Sequence, residues 1–206
     1  MSYPHILTEV QKGFSLYIPD PLKVKEHYEH MCLTDSKTPF PFWAKIWPSS
    51  KAITAFLKEN IHLVDSRITL EIGAGIGLPS FSNANKVSKL IITDHSADAI
   101  KLIRKNIDYL QLNNAEAMQL DWNNFPEDLI ADTVILSDIN YDPTQIEPLL
   151  KLIQHFISKE STIIISTPER ITATSFAFSI QPLIKHSILQ TVKDSEELYE
   201  IRIMVL

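Results

Sequence analysis

Glycine is rare in this chain of 206 residues, yet three of its four glycines occupy alternate positions, Gly73, Gly75 and Gly77, directly after an apolar run. Glycine loses more conformational freedom on folding than any other residue, so the cluster indicates a backbone requirement. A glycine-rich turn between a strand and a helix lets the backbone approach a ligand closely. Asp94 follows Gly73 by 21 positions, where a carboxylate can accept hydrogen bonds from both hydroxyls of a ribose. The spacing therefore predicts a nucleoside-containing cofactor.

Glu71, two residues before the first glycine, narrows the class of cofactor. The dinucleotide-binding pattern G-x-G-x-x-G is incomplete, because Leu78 stands where the third glycine would fall. A carboxylate within an apolar strand is costly to bury unless it is hydrogen-bonded or paired. It would repel a pyrophosphate but would suit a cation. A cofactor with a positive amino group and a sulfonium therefore fits better, while a nucleotide-binding or dehydrogenase-like module stays open as an alternative.

The elements that must position these residues alternate from residue 49 onward. Apolar runs typical of buried strands are separated by apolar stripes at helical spacing. Ser49 or Ser50 can cap the first of these helices, and Ser96 can cap another. The predicted strands are 68–72, 89–94, 115–120, 133–138, 161–167, 185–192 and 198–206. This alternation implies βαβ units and a mostly parallel sheet that is covered on both faces.

The last two predicted strands are connected differently from the others. They are joined only by the polar stretch KDSEE. Parallel neighbours need a long crossover, so strands joined by so short a loop must be antiparallel. We therefore predict an α/β fold, a Rossmann-like doubly wound seven-stranded sheet that is mostly parallel with an antiparallel C-terminal strand.

Residues 1–48 have an unusual composition, with six of the twelve prolines and two of the three tryptophans. A short strand is predicted over 14–18. The stretch PFPFWAKIWPSS, residues 39–50, contains too much proline for a helix interior. We predict a single domain in which residues 1–48 form a lid or extension on a core of residues 49–206.

Composition limits the classes of partner. The formal net charge is −6 and no run of Lys or Arg exceeds two residues, which argues against a nucleic-acid-binding surface. The N-terminus lacks a signal-peptide pattern, no apolar run approaches membrane-spanning length, and one cysteine suits a reducing compartment. The seven histidines show no metal-ligand spacing. We expect a cytoplasmic protein, monomeric, without a metal and without a membrane or nucleic-acid partner.

Four motifs together resemble a known superfamily. They are EIGAGIG (71–77), ITD (92–94), LDW (120–122) and SDINYDP (137–143). The set is similar to the class I, seven-strand S-adenosylmethionine-dependent methyltransferases. The segment PFWAKIWPSS and the D-x-x-Y element at 138–141 look like the lysine methyltransferase group within it, and in particular the branch that includes the electron-transfer-flavoprotein β-subunit lysine methyltransferase. The likeness covers roughly residues 39–170.

The resemblance implies a role for each matching residue. S-adenosyl-L-methionine would be the cofactor, with Asp94 on its ribose hydroxyls, Asp121 and Trp122 beside its adenine, and Trp47 closing the pocket. The methionine moiety would be lined by Glu71, Gly73, Gly75 and Gly77. Asp138 and Tyr141 would stand beside the transferable methyl group, with the backbone around Asn140 helping Asp138 to orient the acceptor amine.

The acceptor class follows less directly. The D-x-x-Y element differs from the N-P-P-Y pattern of methyltransferases that act on nucleobases or glutamine, since its first position is an acid and it lacks the prolines. An acid suits an acceptor that arrives as a cation. The leading interpretation is a protein-lysine N-methyltransferase. A small-molecule N-methyltransferase of the same fold and a binding protein without catalytic activity remain alternatives.

Overall fold

The computed structural model describes residues 3–140, 142–169 and 171–206, with the backbone alone for 171–175. The strands are β1 His5–Gln11, β2 Phe14–Pro19, β3 Ile68–Ile72, β4 Lys89–Asp94, β5 Ala115–Gln119, β6 Thr133–Ser137, β7 Thr162–Pro168, β8 His186–Asp194 and β9 Glu197–Val205. The helices are α1 Pro21–Thr34, α2 Pro48–Glu59, α3 Leu78–Asn83, α4 Ala97–Tyr109, α5 Ile146–Ser158 and α6 Ile171–Ile180.

Seven strands form one sheet in the order β5-β4-β3-β6-β7-β9-β8. The first five of these strands are parallel to one another, and β9 pairs antiparallel with both β7 and β8. The chain passes from β3 outward through β4 to β5, and then returns to the other side of β3 as β6. This reversal creates a switch point, where the carboxyl ends of the strands leave a crevice. The predicted fold is confirmed.

The core consists of two apolar layers, one on each face of the sheet, because successive strand residues point to opposite faces. Leu90 and Ile92 belong to the layer that contains α2, α3 and α4, whereas Ile91 belongs to the layer that contains α5 and α6. The apolar stripes of the sequence therefore cover both faces. No helix within the described ranges is long and apolar enough to cross a membrane.

The N-terminal segment contains more regular structure than its sequence indicates. The predicted strand at 14–18 is confirmed as β2, but it pairs with β1 in an antiparallel hairpin and is followed by α1, neither of which was predicted. The buried side chain of Asn106 in α4 accepts from Tyr17 N at 2.8 Å and donates to Tyr17 O at 3.0 Å. The hairpin is therefore fixed to the core by a paired amide.

Three local predictions differ in outcome. Ser96 caps α4 as predicted, accepting a bond from Ala99 N at 3.4 Å. The cap at Ser49 or Ser50 was wrong: α2 begins at Pro48, because proline suits the first helical position, so both serines lie in its first turn and Trp47 becomes the capping residue. The KDSEE loop was predicted too long, since pairing continues to Asp194↔Glu197 and leaves a two-residue turn.

Candidate active site

The carboxyl ends of β3, β4 and β6, together with the residues just after β5, face one cleft of about 1030 Å³. The opposite wall is formed by residues 39–47, which precede α2. Because parallel strands end at the same edge of a sheet, residues far apart in sequence meet here. The described residues include no cluster of three or more His, Cys, Asp or Glu side chains that could hold a metal ion.

The glycine loop follows β3 and is braced by Asp94. The carboxylate of Asp94 accepts hydrogen bonds from Gly75 N and from Ser96 N, both at 2.8 Å. Burial raises the pKa of Asp94, although these backbone donors oppose the rise. Gly75 adopts a positive φ of 56°, and a Cβ atom there would lie 3.0 Å from the backbone oxygen of Trp43. The loop thus needs glycine both for its conformation and for the close approach of the N-terminal segment.

Glu71 lies within β3, fully buried beside the loop. Its Oε2 accepts from Ser80 N at 3.1 Å in α3, while its Oε1 has no hydrogen-bond partner among the described residues. Burial raises the pKa of Glu71 to about 7, with hydrogen bonds from Ser80 opposing the rise and the charge of Asp94 adding to it. A buried carboxyl with one unsatisfied oxygen is a costly feature whose charged form a nearby cation would stabilise.

A side wall of the cleft is built from the residues after β5. The exposed Asp121 accepts hydrogen bonds at Oδ1 from Asn123 N at 2.9 Å and from Asn123 Nδ2 at 2.8 Å, which lower its pKa. The indole of Trp122 donates from Nε1 to Gln145 Oε1 at 2.8 Å. A Cβ atom at Gly73 would lie 3.3 Å from the Trp122 ring. The indole therefore lies against the glycine loop, held in orientation by Gln145.

The wall formed by residues 39–47 is rich in aromatic rings. Trp47 donates from Nε1 to Phe42 O at 2.8 Å, and the centroids of the Phe42 and Trp47 rings are 5.9 Å apart. The Phe40 ring lies 5.5 Å from that of Phe42 and 5.2 Å from that of Tyr28 in α1. Aromatic contacts thus connect the wall to the helix that precedes it.

Asp138 follows β6 at the base of the cleft. Its φ is 53°, in the left-handed region that non-glycine residues rarely adopt, and its backbone N–H donates to Ser166 O at 2.8 Å. Asn140, by contrast, is buried behind the cleft. Its Oδ1 accepts from Thr167 Oγ1 at 2.9 Å, while its Nδ2 has no partner in the described part of the chain. The strained backbone at Asp138 directs the chain from the strand end across the cleft floor.

The structure brings most of the residues predicted from the sequence into one cleft. Those that line it are Trp47, Gly73, Gly75, Gly77, Asp94, Asp121, Trp122 and Asp138. Glu71 and Asn140 lie next to the cleft without lining it. The predicted Tyr141 lies outside the described residues. Eight of the predicted residues thus line the cleft, and their roles stay predictions.

Several lining residues were missed by sequence reasoning. Gln145 and Asn123 orient the side wall, but they lie 22 positions apart and belong to no motif. Phe42 and Lys45 fall in a segment whose proline content predicted a lid without indicating which side chains face inward. The only sequence signal for them was the concentration of aromatic residues between two prolines.

The chain is similar in sequence to known proteins. A sequence profile described as lysine methyltransferase matches residues 35–181. The protein N-terminal and lysine N-methyltransferase EFM7 of Cryptococcus neoformans is 29% identical over 137 residues, covering 59% of this chain and 46% of that protein. The human electron transfer flavoprotein beta subunit lysine methyltransferase is 23% identical over 157 residues, covering 74% and 60%. The matched stretch spans about half the length of the first of these curated relatives.

A solved structure shares the same architecture. The magnesium protoporphyrin IX methyltransferase of Synechocystis, crystallised with bound S-adenosylmethionine, superimposes with a TM-score of 0.56 at 15% identity. The superposition covers 76% of this chain and 77% of that one. At this level of identity the likeness establishes the fold alone.

Proposed function

This chain belongs to the lysine methyltransferase family, and we propose from that premise that it is an S-adenosylmethionine-dependent N-methyltransferase acting on a lysine amino group of a protein. The observation that carries the proposal is the glycine loop braced by Asp94, with the buried Glu71 beside it. A carboxylate at the position of Asp94 can accept hydrogen bonds from the hydroxyls of a nucleoside sugar, and a cationic amino acid moiety suits an unsatisfied buried carboxyl. A dinucleotide would instead bring its negatively charged pyrophosphate near Glu71, which would repel it.

The residues of the cleft fit this cofactor. The glycine loop and Glu71 would hold its methionine moiety, Asp94 its ribose, and Asp121 with Trp122 its adenine. Two features of the chain support the assignment: a Cβ atom at Gly73 would meet the side chain of Ile139 at 2.9 Å, so this position needs glycine, and the Trp122 ring is fixed by Gln145. When bound, S-adenosylmethionine supplies a methyl group on a cationic sulfur.

Asp138 would orient the acceptor amine. Methyl transfer needs a collinear approach, so positioning contributes most of the catalysis. The amine must react in its neutral form, whereas lysine has a pKa of roughly 10.4 and is almost entirely protonated near pH 7. Asp138 would receive the ammonium by charge complementarity, and the proton would leave to its carboxylate or to water. Desolvation in the cleft lowers the pKa of the amine and favours this loss. The predicted contact of Tyr141 with the acceptor belongs to the same proposal.

A protein acceptor fits the charge of the chain. The net charge of −6 disfavours a phosphate backbone, whereas four carboxylates line the cleft, from Asp94, Asp121, Asp138 and Asp142. We propose a cytoplasmic location on the basis of the single free cysteine, Cys32, and a monomeric state without a nucleic-acid or membrane partner.

The test is transfer of labelled methyl groups to a cell lysate. The wild-type chain, incubated with tritiated S-adenosylmethionine, should label a protein band whose hydrolysate contains methyl-lysine. Label confined to the low-mass fraction would indicate a metabolite acceptor, and methyl-arginine would overturn the lysine assignment. Calorimetry checks which nucleoside-containing cofactor the chain binds. Binding of NADH rather than S-adenosylmethionine would contradict the proposed cofactor.

Asp138→Ala provides the variant that isolates the acceptor role. Transfer should fall to background while the calorimetric Kd for S-adenosylmethionine changes little, because Asp138 acts on the acceptor amine. The matched control is Asp128→Ala, which removes an exposed aspartate outside the cleft and should leave both measurements unchanged. Wild-type transfer by Asp138→Ala would refute the assignment.

A further inference from the structure

An ammonium group already lies against one aromatic ring of the cleft. The Nζ atom of Lys45 is 4.7 Å from the centroid of the Trp47 ring, and both residues line the cleft. This distance is within the roughly 6 Å over which an aromatic face attracts a cation. The chain's own lysine thus shows that the Trp47 face is accessible to an ammonium group.

The Trp47 ring is held in place at its edge. Its Nε1 donates to Phe42 O at 2.8 Å, and Pro48 directly after it begins α2. A fixed ring costs little conformational entropy when a cation binds, so its face can serve as a preformed subsite. Lys45, in contrast, is exposed and reaches the ring through a flexible side chain.

The start of α2, directly after Trp47, is tied to the strand end that precedes Asp138. Ser166 Oγ donates to Ser49 O at 3.0 Å in the first turn of α2 and lies 3.2 Å from Ser137 Oγ. Ser137 immediately precedes Asp138. These contacts fix the start of α2, and with it Trp47, relative to the carboxylate to which the proposed function assigns the acceptor amine.

We infer that the Trp47 ring, besides closing the cofactor pocket, offers a face that is a subsite for the ammonium group of the acceptor, and that Lys45 occupies this face in the free protein as an intramolecular competitor. The inference rests on the proposed function for the identity of the acceptor. The attraction between an ammonium group and the Trp47 ring does not depend on that function. An aromatic face binds primary and methylated ammonium groups alike, because methylation keeps the charge. The subsite would therefore tolerate an acceptor through successive methylations.

Titration with tetramethylammonium chloride tests the subsite without any methyl transfer. The full chain, with its tryptophans labelled with ¹⁵N, is titrated at constant ionic strength while the indole N–H signals are followed by NMR. The Trp47 signal is assigned by its loss in Trp47→Leu. We expect a saturable shift of the Trp47 signal in the wild type, and none with tert-butanol, the neutral group of similar shape.

Lys45→Met tests the competition. Removing the internal ammonium should tighten the apparent Kd for tetramethylammonium by about two- to fivefold, the ratio that corresponds to a cation–aromatic contact of about 0.5–1 kcal/mol at an exposed site. The matched control is Lys37→Met, an exposed lysine outside the cleft, which should bind as the wild type does.

Three results would overturn the inference: no saturable shift, an equal shift with tert-butanol, or an affinity in Lys45→Met that is unchanged or weaker. Its failure can be told apart from failure of the proposed function. Labelled transfer to a protein without tetramethylammonium binding would remove the subsite alone. A chain that binds tetramethylammonium at Trp47 but not S-adenosylmethionine would keep the ammonium subsite and remove the methyltransferase.

Discussion

Replacing Glu71 by glutamine should remove a large pH dependence of stability that originates in one buried carboxyl. The pKa of Glu71 rises from an ordinary value of 4.5 to about 7 because the side chain is buried. Below pH 4.5 the carboxyl is protonated in the folded and the unfolded chain, so it contributes no penalty there. As the pH rises to about 7, the unfolded chain releases the proton while the folded chain retains it, and the free energy of unfolding falls.

The size of the effect follows from that difference in pKa. At about 1.4 kcal/mol for each pH unit, the full penalty is about 3 kcal/mol, most of which develops between about pH 5 and about pH 8. Glutamine has nearly the same shape and can keep the bond from Ser80 N, but it does not titrate. Glu71→Gln should therefore lose about 2–3 kcal/mol less stability than the wild type over this range.

The assay is urea unfolding at several pH values, followed by tryptophan fluorescence. Asp94 has a raised pKa in both proteins, so the comparison removes the contribution of its own burial and leaves that of Glu71, including its charge interaction with Asp94. Glu59→Gln, which removes an exposed glutamate at the end of α2, is the control for the change of net charge. If wild type and Glu71→Gln lose equal stability as the pH rises, the reasoning about the buried carboxyl is refuted.

Two further variants test the geometry of the cleft. Gly73→Ala should lower the free energy of unfolding by about 1–2 kcal/mol for its positive φ and by about 1–3 kcal/mol more for the contact with Ile139. Gly13→Ala, at a similar φ but in open space, isolates the first contribution, and equal losses in thermal unfolding would disprove the contact. Gln145→Leu should weaken S-adenosylmethionine binding about two- to tenfold by releasing the Trp122 indole, whereas Gln145→Glu keeps an acceptor. Equal calorimetric affinities for the two Gln145 variants would exclude this positioning role.

The alternating elements could be predicted because each depends on a local pattern. A run such as ITLEI at 68–72 is buried on both faces, and a βαβ unit has few ways to place such a run. The cap at Ser96 is equally local. Helix α1 was not predicted because only Val24 of its residues is buried, so its sequence has no apolar stripe.

The sequence by itself determined the kind of cleft: three glycines, Glu71 and Asp94 at their spacings indicate a loop around a nucleoside with a positive charge. These residues lie a few positions apart in the sequence or at the ends of adjacent strands. Parallel strands end at one edge, so the motifs that follow β3, β4, β5 and β6 had to meet.

Only the tertiary structure decided what surrounds the motifs. The backbone of Trp43 lies against Gly75 and Gln145 fixes Trp122, through contacts that no spacing in the sequence encodes. The orphaned oxygen of Glu71 likewise depends on which backbone groups of α3 come within reach. The physical reason is that hydrogen bonds and ring contacts act over a few ångströms, and only the packing of helices on the sheet brings distant segments that close.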